Sequence, residues 1–392
     1  MTEGAVLASG LALGLLLIQG PAVAILWSRL FRALRTQTPL QAEAARPADL
    51  GQVSVVVPTL NEAARIDPCL AGLSRQGYEV REILVVDSRS QDGTPDQVKT
   101  VAGRDPRFRL LTDDPLPQGW VGRPWALHTG FTQMSAASDW FLGIDADTRP
   151  QPGLVAALLH RAEVGAYDLI SLSPRFILAG WGEWGLQPAL LMTLIYRFGP
   201  TGTDPGAVDR VMANGQCFLV RRPALEAVGG YTTARSSFCD DVTLARAVAA
   251  AGFRVGFLDG RHLLQVRMYE GVRELWREWG RSLDLKDAGR PAQLWGDWIF
   301  LVLVQGLPLP ILGALVTTHL NTWPLQVALA LNLILVVSRW ALLLAIRSVY
   351  TWQGSRGTWA FWLSPLADPL AVVRIGLSSL QRPRQWRGRV YA

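Results

Sequence analysis

Carboxylates at three points of this 392-residue chain are spaced so that they can do chemistry. The apolar run Trp140-Phe141-Leu142-Gly143-Ile144 stops at Asp145-Ala146-Asp147, and Arg149 and Pro150 close the turn. Two carboxylates at i and i+2 repel each other unless a cation lies beside them. The pair therefore reads as a divalent-metal site, with a solvated acidic turn as the competing reading. Asp87 ends a second apolar run, and Asp240-Asp241 open a segment of helical pattern. Acids at a helix start ordinarily cap it and offset its dipole, but a carboxylate there can also take a proton from a hydroxyl. A crevice collecting Asp87, Asp145 and Asp147 is too acidic to hold a phosphate unaided. With Mg2+ or Mn2+ in place the sign inverts, and a diphosphate becomes the natural ligand. The chain has no P-loop ending in Gly-Lys-Ser/Thr and no Gly-x-Gly-x-x-Gly turn after its first strand, which argues against ATP hydrolysis and a dinucleotide. What remains is displacement from a nucleotide diphosphate whose leaving group a metal stabilises, with Asp241, beside Asp240, as the base on an acceptor.

The elements that must position these groups alternate. Val53–Pro58 predicts a β-branched strand, followed by a helix from Thr59 through Leu73. Strands at Glu82–Val86, Phe108–Leu111 and Trp140–Ile144 come next, with helical stretches between them, and Asn214–Arg222 predicts a strand that rejoins the sheet. This rhythm implies an α/β, Rossmann-like, mostly parallel sheet covered on both faces. Every polar turn named lies at a strand's carboxyl end, so the turns converge on one crevice.

Composition places this domain at a membrane. The apolar fraction is 49%, there are 16 tryptophans, and the net charge of +6 is carried by arginine, with Lys99 and Lys286 the only lysines. The arginines flank apolar segments instead of forming one basic stripe, which favours a membrane surface over nucleic acid. Cys69, Cys217 and Cys239 share no metal spacing and read as free thiols of a reducing cytosol. An uncharged stretch from Ala5 to Trp27 is long enough to span a bilayer, and Arg29, Arg32 and Arg35 after it put the following chain in the cytoplasm. The organisation expected is an anchor and basic flank at 1–35, a linker at 36–52, a cytoplasmic domain at 53–290 and a membrane region at 291–392. Within the domain, 176–200 is either an interfacial or a buried helix, and 270–290 is an interfacial one rich in tryptophan and arginine. The membrane region carries spans at about 298–318 and 323–346. The stretch 359–380 holds Pro365, Asp368, Pro369 and Arg374, and is expected to be re-entrant or interfacial so that the arginine-rich tail stays cytoplasmic.

The ordered motifs Val-Val-Val-Pro-Thr-Leu-Asn-Glu (55–62), Val-Val-Asp (85–87), Asp-Ala-Asp (145–147) and Asp-Asp (240–241) resemble those of family 2 glycosyltransferases with the A-type fold. The resemblance covers roughly Val53 to Lys286. It implies that Thr59, Glu62 and Asp87 contact the nucleotide, that Asp145 lies near the sugar-nucleotide, and that Asp147, with Asp145, ligates the metal. It implies too that Asp241 is the base of an inverting transfer. The segment Gly119-Trp120-Val121-Gly122-Arg123-Pro124-Trp125-Ala126 is similar to one in membrane enzymes acting on carotenoids, hopanoids and ceramide, with Arg123 where a lysine is usual and a contact to the donor implied. Arg267-Met268-Tyr269, followed by Trp279 and Arg281, looks most like bacterial carotenoid glycosyltransferases and adds Trp279 and Arg281 to the donor-binding set. The Gln-x-x-Arg-Trp signature of processive synthases is absent. The resemblance thus implies single-sugar transfer from a UDP- or GDP-sugar to a lipid-soluble hydroxyl at the cell membrane. A hydroxylated carotenoid leads as acceptor, and a hopanoid, ceramide-like or glycerolipid acceptor is the alternative. A transporter and a catalytically silent scaffold are the readings from other classes.

Overall fold

The computed structural model describes residues 3–33, 38–282, 285–317, 322–381, 385–386 and 389–390. It divides into two compact units, one made of 37–177, 201–268 and 382–392, the other of 1–36, 178–200 and 269–381.

The first unit is built on a seven-stranded sheet. Its strands are β1 (Val53–Thr59), β2 (Val80–Asp87), β3 (Phe108–Thr112), β4 (Trp140–Ile144), β6 (Leu169–Ser173), β8 (Cys217–Arg221) and β9 (Val255–Asp259), in the order β3-β2-β1-β4-β8-β6-β9. β5 (Thr148–Pro150), β7 (Arg175–Ile177) and β10 (Leu264–Val266) form a separate small ribbon, with β10 pairing β5 antiparallel and β7 parallel. β1, β2, β3 and β4 run parallel, as do β6 and β9, whereas β8 is antiparallel to both of its neighbours. The period of two decides what each face buries. Val55, Val57, Ile83, Val85 and Leu142 enter one core cluster, and Val56, Leu84, Val86 and Phe141 enter the other. All of these side chains are fully buried, so both faces are covered, as in a doubly wound sheet.

Two local expectations need correction. The helix expected from Thr59 begins only at Asp67. Asn61 takes a left-handed φ of 55°, and the backbone N–H groups of Asn61, Glu62 and Ala63 donate to Ser90, Thr94 and Asp92 instead of to a helical ladder. The strand expected from Asn214 begins at Cys217, because Asn214 accepts from the Gln216 N–H and turns the chain first.

The second unit is helical. Helices long and apolar enough to cross a membrane are Val6–Arg32, Trp323–Val349 and Thr358–Leu380. The stretch expected as a span at 298–318 falls on a bent pair, Pro291–Gly306 and Pro308–Val316, turned by 40°, the geometry of a broken span or of a re-entrant loop. Gly306 and Pro308 explain the break, since the proline ring removes a donor and clashes with the preceding turn. The break expected within 359–380 is a change of helix type, from a 3-10 helix at Thr358–Ala367 to an α-helix at Asp368–Leu380. The helix Trp181–Phe198 and the chain from Tyr269 to Gln381 group with the apolar helices and not with the sheet. Arg35, Arg382, Arg384 and Arg387 lie outside the described residues.

Candidate active site

β1 and β2 end in register, with Thr59 opposite Asp87. The Thr59 hydroxyl donates to Asp87 Oδ1 at 3.0 Å, and Ser90 donates to the same carboxylate through its N–H (2.9 Å) and its hydroxyl (2.6 Å). Asp92 ties the loop further. It accepts from the Ala63 and Thr94 N–H groups and from the Thr94 hydroxyl, which itself accepts from the Glu62 N–H. Glu62 is buried and lies 3.6 Å from Arg65. These bonds hold Thr59, Glu62 and Asp87 in one stitched turn at the carboxyl ends of adjacent parallel strands, the place where such sheets bind ligands.

β4 carries the sheet to Asp145, whose N–H still pairs with the Gln216 carbonyl as the strand ends. The Asp145 carbonyl then accepts from the Thr148 hydroxyl at 2.7 Å, which closes the Asp145-Ala146-Asp147 turn and leaves both carboxylates half-buried. The segment Gly119–Ala126 is a loop that enters the helix Gly122–Gln133, so Arg123 sits in that helix's first turn. Trp120 and Trp125 pack edge to face at 5.0 Å beside it.

Arg123 is the hub. Its Nε and Nη2 donate to Asp145 Oδ1 at 3.0 and 2.9 Å, its Nη1 donates to Asp240 Oδ2, and Nη2 also donates to the Gly215 carbonyl at 2.8 Å. One guanidinium thereby joins the end of β4, the approach to β8 and the helix Asp240–Ala250. Asp241, next on that helix, accepts from the Gly215 N–H (2.7 Å), the Val242 N–H (2.9 Å) and the Cys239 thiol (3.3 Å). Burial pushes Asp240 up to about 6 despite Arg123, and raises Asp241 as well. Burial, followed by the Asp241 charge, holds the Cys239 thiol far above its ordinary range, so it acts as a donor and not as a thiolate.

The carboxylates read from the sequence therefore fall into two groups, with Asp147 apart from both: Glu62 and Asp87 with Thr59 in one turn, Asp145, Asp240 and Asp241 gathered around Arg123, and Asp147 half-buried in the turn just after Asp145. Trp279 belongs to the other unit, where it is buried with its ring 6.2 Å from that of Tyr269, and the Arg281 side chain lies outside the described residues. Gly215 and Cys239 were not legible as site residues. A lone glycine before a strand gives only a weak signal, yet a Cβ at Gly215 would run into Arg123 Nη2. Among the described residues, no three His, Cys, Asp or Glu side chains form a metal-holding group. The oxygen donors at Asp145 and Asp147 nevertheless suit a hard divalent cation of the kind held by one or two carboxylates together with a ligand's phosphates.

Residues 54–229 match the glycosyl transferase family 2 model. The chain is 24% identical over 229 residues to the succinoglycan biosynthesis protein ExoA of Rhizobium meliloti, covering 58% of this chain and 66% of that protein. It is 23% identical to the 4,4'-diaponeurosporenoate glycosyltransferase of Staphylococcus haemolyticus, covering 59% and 60%. The chain thus spans just under two thirds of these relatives' lengths. Its fold is similar to that of the mannosyltransferase PcManGT from Pyrobaculum calidifontis, solved with GDP-Man and Mn2+, with a TM-score of 0.54, 18% identity and coverage of 95% and 98%. Residues 54–229 thus carry a domain similar to glycosyl transferase family 2, on a fold of the A type.

Proposed function

We propose that this chain transfers one sugar from a UDP- or GDP-sugar to a lipid-soluble hydroxyl at the cytoplasmic face of the cell membrane, with inversion at the sugar carbon. A hydroxylated carotenoid is the favoured acceptor. The observation that carries the reading is the Arg123 guanidinium, which ties Asp145 of the acidic turn to Asp240 of the acidic helix start. The relative named for 4,4'-diaponeurosporenoate, a carotenoid carboxylate, supports the carotenoid skeleton but not the hydroxyl, which rests on the base, and the three apolar helices among the described residues support the membrane location.

In this reading the Thr59–Glu62–Asp87 turn takes the nucleoside, and Trp279 and Arg281 contribute to donor binding. Asp145 and Asp147 would hold a divalent cation. Both Arg123 bonds to Asp145 fall on Oδ1, so its second oxygen can serve that purpose. When bound, Mg2+ or Mn2+ supplies Lewis-acid stabilisation of the departing diphosphate. Asp241 accepts the proton of the acceptor hydroxyl as its oxygen bonds to the sugar carbon and the bond from that carbon to the diphosphate oxygen breaks. Burial raises the proton affinity of Asp241, which brings it nearer the operating pH of a general base. An alcohol needs such a base, whereas a carboxylate or phosphate acceptor is already ionised.

The test is purified protein in lipid with a panel of nucleotide sugars. Asp147→Asn is expected to abolish metal-dependent donor binding, and Asp241→Asn to keep donor binding while removing transfer. Equal loss of donor binding in both variants would refute this division of roles.

A further inference from the structure

A second polar centre lies in the helical unit and shares no residue with the set assigned to sugar transfer. Arg339, on the helix Trp323–Ile346, donates from Nε to Asp368 Oδ2 at 2.8 Å and from Nη2 to Asp368 Oδ1 and the Ser364 hydroxyl, both at 3.1 Å. Gln305, in the π-helical turn Val302–Gly306, donates from Nε2 to Asp368 Oδ1 (3.0 Å) and to the Ala189 carbonyl (2.9 Å). The Arg339 and Asp368 side chains are only 4% and 6% exposed.

Arg339, Asp368 and Gln305 line a narrow, open-sided cleft of about 10 Å³, enough for one hydroxyl-sized group, whose remaining walls include Val304, Leu309, Leu335 and Val336. Two of the polar residues are incompletely satisfied. Arg339 Nη1 and Gln305 Oε1 are buried and have no hydrogen-bond partner among the described residues. Ionisable groups within apolar helices mark functional sites, and π-helical turns often accompany them. A buried polar atom without a partner calls for a ligand or an ordered water.

We infer that this cleft binds the hydroxyl group of a neutral, lipid-soluble alcohol. Three observations select that chemistry. The unmet atoms are one donor and one acceptor, and a hydroxyl can accept from Arg339 and donate to Gln305 at once. The charge of Arg339 is already balanced by Asp368, so an anionic headgroup would bring a second negative charge beside that carboxylate. The aliphatic walls suit a hydrocarbon chain. The inference stands on the cleft alone and does not require the bound alcohol to be the molecule that receives the sugar.

The experiment measures equilibrium binding of radiolabelled geranylgeraniol, its methyl ether and its monophosphate to the full chain in lipid nanodiscs. The alcohol is expected to bind about tenfold more tightly than the ether, which has lost its donor, and more tightly than the phosphate. Val336→Phe, which fills the cleft from an aliphatic wall without touching the polar network, is expected to weaken alcohol binding at least about tenfold. Gln305→Leu should remove the preference for alcohol over ether. If that variant fails to fold, Val336→Phe decides the matter. No binding of the alcohol, equal binding of alcohol and ether, tighter binding of the phosphate, or unchanged binding in Val336→Phe each overturns the inference. Consumption of nucleotide sugar is assayed on the same preparations, so failure of the cleft and failure of the transferase reading are read separately.

Discussion

The two buried arginine centres of this protein differ in how their charge is balanced. Arg123 faces Asp145 and Asp240, with Asp241 next along the helix, so one positive charge meets three carboxylates. Arg339 faces Asp368 alone among the described residues, and its remaining partner there is a neutral hydroxyl. Asp145 keeps 26% of its side chain exposed, against 6% for Asp368. A centre with surplus negative charge that is open to water can take up a cation or protons. A centre in which one arginine meets one carboxylate has no surplus charge to draw in a cation, and its arginine is held for structure or for a neutral ligand. The same residue type thus sits at the hub of an acid-rich centre in one unit and of a charge-balanced pair in the other.

The sharpest way to break this contrast is to remove each arginine. Arg339→Met leaves Asp368 buried without its cation and is expected to cost about 3–5 kcal/mol, whereas the double change Arg339→Met with Asp368→Leu should recover most of that loss. Arg123→Met should cost less than half as much, because Asp145 can turn to water and Asp240 can protonate. Unfolding midpoints in lipid nanodiscs measure all three. Equal losses for the two single variants would show that the centres do not differ in the way described.

The placement of Asp87 and Asp145 was legible in the sequence, because strands ending at these residues bring their carboxylates to the same edge of a parallel sheet. The hub itself was not. Nothing in the spacing of Arg123, Asp145 and Asp240 states that one guanidinium bonds both acids, since the contacts span 22 and 117 residues. The role expected for Arg123, contact with the donor, is a different use of the same side chain. The early start expected for the helix after β1 failed for a local reason. Thr59-Leu60-Asn61-Glu62 has the residues of a helix start, but Ser90, Asp92 and Thr94 arrive from another loop and take its N–H groups. In the helical unit, apolar length identified the segments, while Pro308 bends a stretch that hydropathy alone reads as one span.

A smaller effect is expected from the floor of the Arg123 centre. Gly215 donates to Asp241 and accepts from Arg123, so it fixes both. In Gly215→Ala the new Cβ would meet Arg123 Nη2, the movable end of a long side chain. The fold should therefore survive with a stability change below about 1 kcal/mol. Displacing the guanidinium by roughly 1 Å should nevertheless lower transfer by about 10²-fold. The ratio of kcat/KM between variant and parent, set beside the two unfolding midpoints, tests this. A loss of stability without loss of transfer would make Gly215 a packing residue only.

The smallest effect is a pH dependence. Burial raises Asp240 from the ordinary 3.8 to about 6, so the folded chain binds its proton more tightly than the unfolded chain does. Its contribution to stability is therefore fully present below about pH 4 and is lost as pH rises through about 6. In the proposed mechanism catalysis runs the other way, because Asp241 must be ionised to accept a proton, so transfer should rise with pH as this carboxyl, raised by burial, loses its proton. Asp240→Asn should flatten the stability slope between about pH 4 and 6, and it should lower the pH at which the remaining transfer begins, since Asp241 loses a neighbouring charge. A parent rate profile flat from about pH 5 to 8, with binding of the donor shown to be saturated throughout, would remove Asp240 and Asp241 from proton transfer and leave Arg123 as a structural clamp like Arg339.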